Sequence, residues 1–135
     1  MALASGSALV WALMAQFVLP SAEAIWPSRQ IAAALKSETS DCHAPKLVSA
    51  GYAEPSLVVL AGTNTLLTDG PGAAAALLGG DKCALAAVTD REMAAFKQSL
   101  GSAANALKTI RTFDAINYSK GQRLRISIMQ LSAPN

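Results

Sequence analysis

Charge is scarce in this chain and absent from its beginning. Asp, Glu, Lys and Arg make up 15% of the 135 residues, against 52% hydrophobic residues. Met1 to Ala22 carries no charged side chain, so every ionic group lies after it. The net charge of +2 gives no electrostatic footprint for nucleic acid. Histidine is nearly absent too. His43 is the only one, and with Cys42 and Cys83 it offers too few ligands, at no regular spacing, for a zinc site. A lone histidine also leaves a serine or cysteine nucleophile without its usual setting. The sequence has no G-x-S-x-G elbow. Gly70, Gly72, Gly79 and Gly80 lack the G-K-[ST] ending of a phosphate loop and read as turn and cap residues. No catalytic, cofactor or metal-binding set emerges, and no internal repeat.

What is present divides in two. Met1 to Leu19 is an apolar run interrupted chiefly by Ser5, Gly6, Ser7 and Gln16. As a helix it would reach roughly 28 Å, close to the ~30 Å of a bilayer core. Pro20 ends it, and Trp26 follows at a depth suited to the membrane–water interface. Residues 1–22 are therefore expected to form a transmembrane helix with the lipid bilayer as partner. Ala22-Glu23-Ala24 has the form of a signal-cleavage site, but no basic residue precedes the apolar run. Arg29, Lys36 and Lys46 follow the run, and by the positive-inside rule alone they would place the rest in the cytoplasm.

Residues 23–41 read as an interfacial helix and linker. Ser28 is the expected cap of a helix running to Lys36, lying on the membrane surface or against the domain. Residues 42–135 read as a soluble α/β domain. Its centre is Gly51 to Gly70, where Leu57 to Ala61 and Leu66 to Leu67 stand between the turn formers Gly51, Pro55, Gly62, Asn64 and Gly70. Strands are expected at Lys46 to Ala50, Thr65 to Thr68 and Cys83 to Val88, with short helices at Leu57 to Ala61 and Gly72 to Leu78. Thr89-Asp90-Arg91-Glu92 has the form of a capping box before a helix carrying Met93, Phe96 and Leu100. Leu124, Ile126 and Ile128 alternate with Arg123, Arg125 and Ser127, the mark of a strand with one wet face. Paired with Leu107 to Ile116, it predicts a C-terminal antiparallel hairpin. The sum is a small mixed sheet with helices packed on it.

Cys42 and Cys83 stand near the starts of two strands. If those strands are neighbours, a disulfide is feasible; the alternative is two buried thiols. A bridge would place the domain in an oxidising space. Lys108, Arg111, Lys120, Arg123 and Arg125 are opposed in sequence only by Asp114. They read as a solvated sheet face, or as a patch facing anionic lipid. Glu54 and Asp69 end core segments; Glu54 is read as a cap for the next turn, or as a binding group. Tyr52 and Tyr118 either close the core edge or line a groove.

Gly51-Tyr52-Ala53-Glu54-Pro55-Ser56-Leu57-Val58, followed by Gly62-Thr63-Asn64-Thr65, resembles a G-Y-x-E-P-S-L-V…G-T-x-T signature. That signature belongs to the C-terminal tail of bacterial glycosyltransferase family 39 membrane proteins, relatives of lipid A aminoarabinose transferases and of protein mannosyltransferases. Asp69-Gly70, the Ala-rich Ala73 to Leu78, Cys83 and Asn117-Tyr118-Ser119-Lys120-Gly121 follow in matching order, and Cys42 precedes. The resemblance spans Met1 to Leu131, as a last membrane helix plus tail. It implies sugar transfer from a polyprenyl-phosphate carrier on the periplasmic side of the inner (plasma) membrane, in company with the remaining spans of a transferase. The family's catalytic carboxylate lies in an early loop that has no counterpart here, so no catalytic residue carries over. Tyr52, Glu54, Pro55, Ser56, Asn117 and Tyr118 are motif residues of unassigned role.

Three readings follow from the sequence. The chain is the C-terminal part of such a transferase, inactive alone. Or it is a membrane-anchored extracytoplasmic binding or interaction module. Or it is a small exported protein freed by signal cleavage.

Overall fold

A computed structural model describes residues 10–18, 26–80, 82–117 and 121–132. Most of the expected span, and with it Ala22-Glu23-Ala24, lies outside the described residues. Its described part is a short helical stretch with a π-helical turn at Met14–Val18. Among the described residues no helix is long and apolar enough to cross a membrane.

The rest is an α/β fold. Five strands form one sheet in the order β2-β1-β3-β5-β4: β1 Lys46–Ala50, β2 Leu66–Thr68, β3 Ala84–Thr89, β4 Leu107–Asn117 and β5 Gln122–Leu131. β1 pairs in parallel with both β2 and β3, whereas β5 runs antiparallel to β3 and to β4. The sheet is thus mixed and ends in the expected hairpin.

Helices cover both faces. On one side lie α1 (Pro27–Glu38) and α2 (Pro55–Ala61); on the other lie α3 (Gly70–Leu78) and α4 (Met93–Leu100). Strand alternation separates two cores. Leu47, Leu85, Ala87, Ile126 and Ile128 point toward Ile31 and Leu35 of α1 and Leu57 of α2. Val48, Ala86, Val88 and Met129 point toward Ala73 and Leu77 of α3 and Phe96 of α4. β3 is central and buried along its whole length, which is why it reads as a continuous apolar run. The Ala-rich α3 presents Ala73 and Ala74 to the sheet, and small side chains let the layers approach closely.

The start of α1 differs from expectation. Trp26 is its N-cap and Pro27 takes the first turn, where a missing N–H costs nothing. Ser28 is therefore inside the helix, buried, and its hydroxyl bonds elsewhere. α1 packs against the domain through Ile31, Ala34 and Leu35. Cys42 and Cys83 form a disulfide, with Cα atoms 5.8 Å apart and 41 residues of separation. The bridge sits where Lys46 N donates to Cys83 O, tying the entries to β1 and β3.

Candidate functional site

The parallel strands put their C-terminal ends on one edge. β1 leads through α2 on one face to β2, and β2 leads through α3 on the other face to β3. The chain thus leaves β1 and reaches β3 on opposite sides of the sheet. Open α/β sheets hold ligands in the crevice such a reversal creates, outside the carboxyl ends of the strands. Here that edge gathers Gly51 to Ser56 after β1, Asp69-Gly70 after β2 and Asp90 to Glu92 after β3. β5 pairs with β3 through Thr89 and Ile126, and Asp90 N donates to Arg125 O at 2.9 Å. The turn end of the hairpin, with Asn117, Arg123 and Arg125, therefore extends past the same edge.

Three loops close tightly there. Gly51 has φ of 81°, and a Cβ on it would strike the Thr89 hydroxyl and lie 2.9 Å from Glu92 Cγ. A Cβ on Gly70 would lie 2.7 Å from the Glu92 carbonyl oxygen and 2.9 Å from Phe96 N. Glycine at both places lets the loops meet. The crevice between β1 and β3 is thereby filled by protein atoms.

The N-terminus of α3 opens onto this edge and would attract an anion. Two of the protein's own carboxylates already meet it. Asp69 Oδ1 accepts from Gly72 N at 2.8 Å, and Glu92 Oε2 accepts from Gly70 N at 2.7 Å. This corrects the capping-box expectation. Thr89 belongs to β3, 1% exposed, and its hydroxyl finds no hydrogen-bond partner among the described residues. Glu92 reaches the neighbouring helix instead, because Thr89 is held in the sheet and the helix starts only at Met93, which makes Glu92 itself the N-cap residue.

The motif residues split into a partly buried chain of hydroxyls and a cap. Tyr52 is buried, and its hydroxyl lies 2.8 Å from Ser28 Oγ. Ser28 Oγ lies 2.8 Å from Ser56 Oγ. Ser49 Oγ donates to the Tyr52 carbonyl at 2.6 Å. Tyr52 and Ser56 thus fasten α1 to the end of β1 and the start of α2. Pro55 opens α2, and Glu54 is its N-cap residue, but the Glu54 side chain makes no capping bond. The expected carboxylate cap is replaced by the Glu54 carbonyl, which accepts from Leu57 N at 2.9 Å. Asn117 is buried at the end of β4, while Tyr118 lies outside the described residues.

An open cavity of about 650 Å³ runs along the hairpin, lined by Asp90, Asp114, Ile116, Arg123 and Arg125 among others. Asp114 and Arg125 stand opposite each other in the ladder and form an exposed ion pair at 3.0 Å. The hydrogen bond that Arg125 donates to Asp114, and then the carboxylate's charge, raise the Arg125 pKa above its ordinary value. Arg91 Nη1 donates to Gln122 Oε1 at 2.9 Å, bracing the hairpin against the β3–α4 turn.

Among the described residues no group of three or more His, Cys, Asp or Glu side chains could hold a metal ion. The sulfurs of Cys42 and Cys83 are joined, and His43 is exposed. The arrangement can brace, cap and present surface. Sequence reasoning missed the role of Ser28, whose signal was a serine one step inside a Pro-initiated helix. It also missed the Glu92 contact, which has no local signal. No family model matches this chain, and neither a curated protein nor a solved structure matches it.

Proposed function

We propose that the chain is the C-terminal extracytoplasmic domain, with its last membrane span, of a lipid-carrier-dependent glycosyltransferase. In this reading it is accessory to sugar transfer and inactive alone. The observation that carries it is the hydroxyl chain Tyr52–Ser28–Ser56. The G-Y-x-E-P-S segment, the longest element of the family resemblance, is the joint that fixes the helix following the apolar leader to the sheet. A domain that must hold a set pose beside a membrane-embedded partner needs such a joint. The disulfide supports the oxidising side of the inner membrane. Val10, Trp11, Leu13 and Met14 are all exposed, so the leader's described part does not pack into the domain core, and a bilayer would cover it.

The test is sugar transfer from a labelled polyprenyl-phosphate donor in membranes made with and without this chain. Transfer falls when the chain is removed and returns when it is supplied, while the purified chain alone turns over nothing. Unchanged transfer without it, or turnover by the purified chain, overturns the reading.

Exposed Val59 and Leu60 on α2 favour a second reading: a membrane-anchored binding or interaction module with no enzymatic partner. A reading frame beside this one that encodes no multispanning membrane protein would select it.

A further inference from the structure

We propose that the outer face of the α1–α2 layer docks the domain onto an anionic phospholipid surface. The inference rests on the membrane-anchored reading above and adds to it which face meets the lipid. α1 and α2 run side by side in the same direction. Ser28 meets Ser56 at their starts, and Lys36 and Leu60 line one groove toward their ends. That open groove of about 870 Å³ is lined by Arg29, Ala32, Ala33, Lys36, Leu60 and Ala61, with Pro45 at its end. Val59 is 82% exposed and Leu60 is 50% exposed, on a helix whose other large apolar side chains are Leu57, fully buried, and Val58, half-buried. Two adjacent aliphatic side chains held outward in water are unfavourable unless something apolar covers them.

Charge selects the cover. Arg29 and Lys36 flank the groove. Glu38 ends α1 and Glu54 precedes α2, neither of them lining the groove. Basic groups around a small apolar patch suit anionic head groups over acyl chains, since each basic group near such a surface adds attraction and aliphatic side chains insert. The route of the chain agrees. The apolar leader, uncharged through Ala22, passes Glu23 and reaches α1 at Trp26, itself partly exposed, so the leader delivers this helix to the membrane surface first.

The experiment uses the full chain in vesicles, with an environment-sensitive fluorophore on a cysteine placed at Val59 (Val59→Cys). A second preparation carries it at Ser99 (Ser99→Cys), exposed on α4 on the opposite face. The native cysteines are bonded to each other and leave the new thiol unique. With phosphatidylcholine–phosphatidylglycerol vesicles, the probe at position 59 shifts blue and is quenched by a lipid-borne quencher, while the probe at 99 stays water-like. Arg29→Gln and Lys36→Gln each lower the docked-to-undocked ratio by about fivefold, and pure phosphatidylcholine lowers it further. An anchored chain with a water-like probe at 59 overturns the docking face and leaves the anchor standing. A chain that alkaline carbonate strips from the vesicles overturns the anchor reading and this proposal together. A shift at 59 that follows protein density and ignores lipid charge means a second copy covers the face, and also overturns it.

Discussion

Ser28 Oγ lies 2.8 Å from the Tyr52 hydroxyl across 24 residues of sequence, with both side chains buried. One serine thus joins the helix after the apolar leader to the loop that ends β1. Tyr52→Phe removes that bond and keeps the ring's packing, so it is expected to cost about 1 kcal/mol. Ser28→Ala is expected to cost at least as much, because it also strips Ser56 of a partner. A urea-denaturation double-mutant cycle should give a coupling of at least ~0.5 kcal/mol. Strict additivity would mean the two hydroxyls act independently.

The Cys42–Cys83 bridge closes a loop of 41 residues. On the chain-entropy account it stabilises the fold by roughly 4 kcal/mol. Denaturant midpoints with and without reductant should differ accordingly. Thiol titration of the unfolded, unreduced chain should find no free cysteine, and two free thiols would remove the bridge from the account.

Gly51 and Gly62 form a controlled pair. Both have positive φ, 81° and 103°, but a Cβ at Gly62 would meet nothing within 4 Å. Gly62→Ala should cost about 1 kcal/mol, the backbone term alone. Gly51→Ala adds a collision with Thr89 and Glu92 and should cost clearly more. Equal losses by thermal unfolding would show that the loops around Gly51 yield freely.

Thr89 offers a stabilising change. Its hydroxyl is buried without a partner among the described residues. Thr89→Val keeps the β-branched shape and removes the desolvated polar atom, so a gain of about 1 kcal/mol is expected. A loss in chemical denaturation would reveal that the hydroxyl has a partner after all.

Glu92→Gln retains an acceptor for Gly70 N and loses the charge at the start of α3; Glu92→Ala loses both. The alanine variant should be less stable by about 1 kcal/mol, with the glutamine variant between it and the parent. Identical stabilities in urea would remove Glu92 from the capping of α3.

The element pattern was readable because its signals are local. Leu124, Ile126 and Ile128 are buried while Arg123 and Arg125 are exposed, as period-two alternation requires. Pro55 opens α2, and Gly101, at φ of 57°, ends α4. The polar residues were harder. Ser28, Glu54 and Glu92 each fit a local cap by type and spacing, yet their side chains make none of those capping bonds. Pro27 starts α1 two residues earlier than a Ser28 cap would. Glu92 found a backbone N–H on α3 that lies 22 residues away in sequence. Sequence spacing ranks only the partners within a turn or two.

The order and kind of the elements and the uncharged leader are written locally, since hydrophobic period and turn residues act over a few positions. Folding set which hydroxyls and carboxylates meet. It joined Tyr52 to Ser28, filled the β1–β3 crevice with Gly51, Thr89 and Glu92, and left Val59 and Leu60 facing outward. The reason is that a buried polar group takes its partner from whatever packing brings near, and packing joins residues the chain holds far apart.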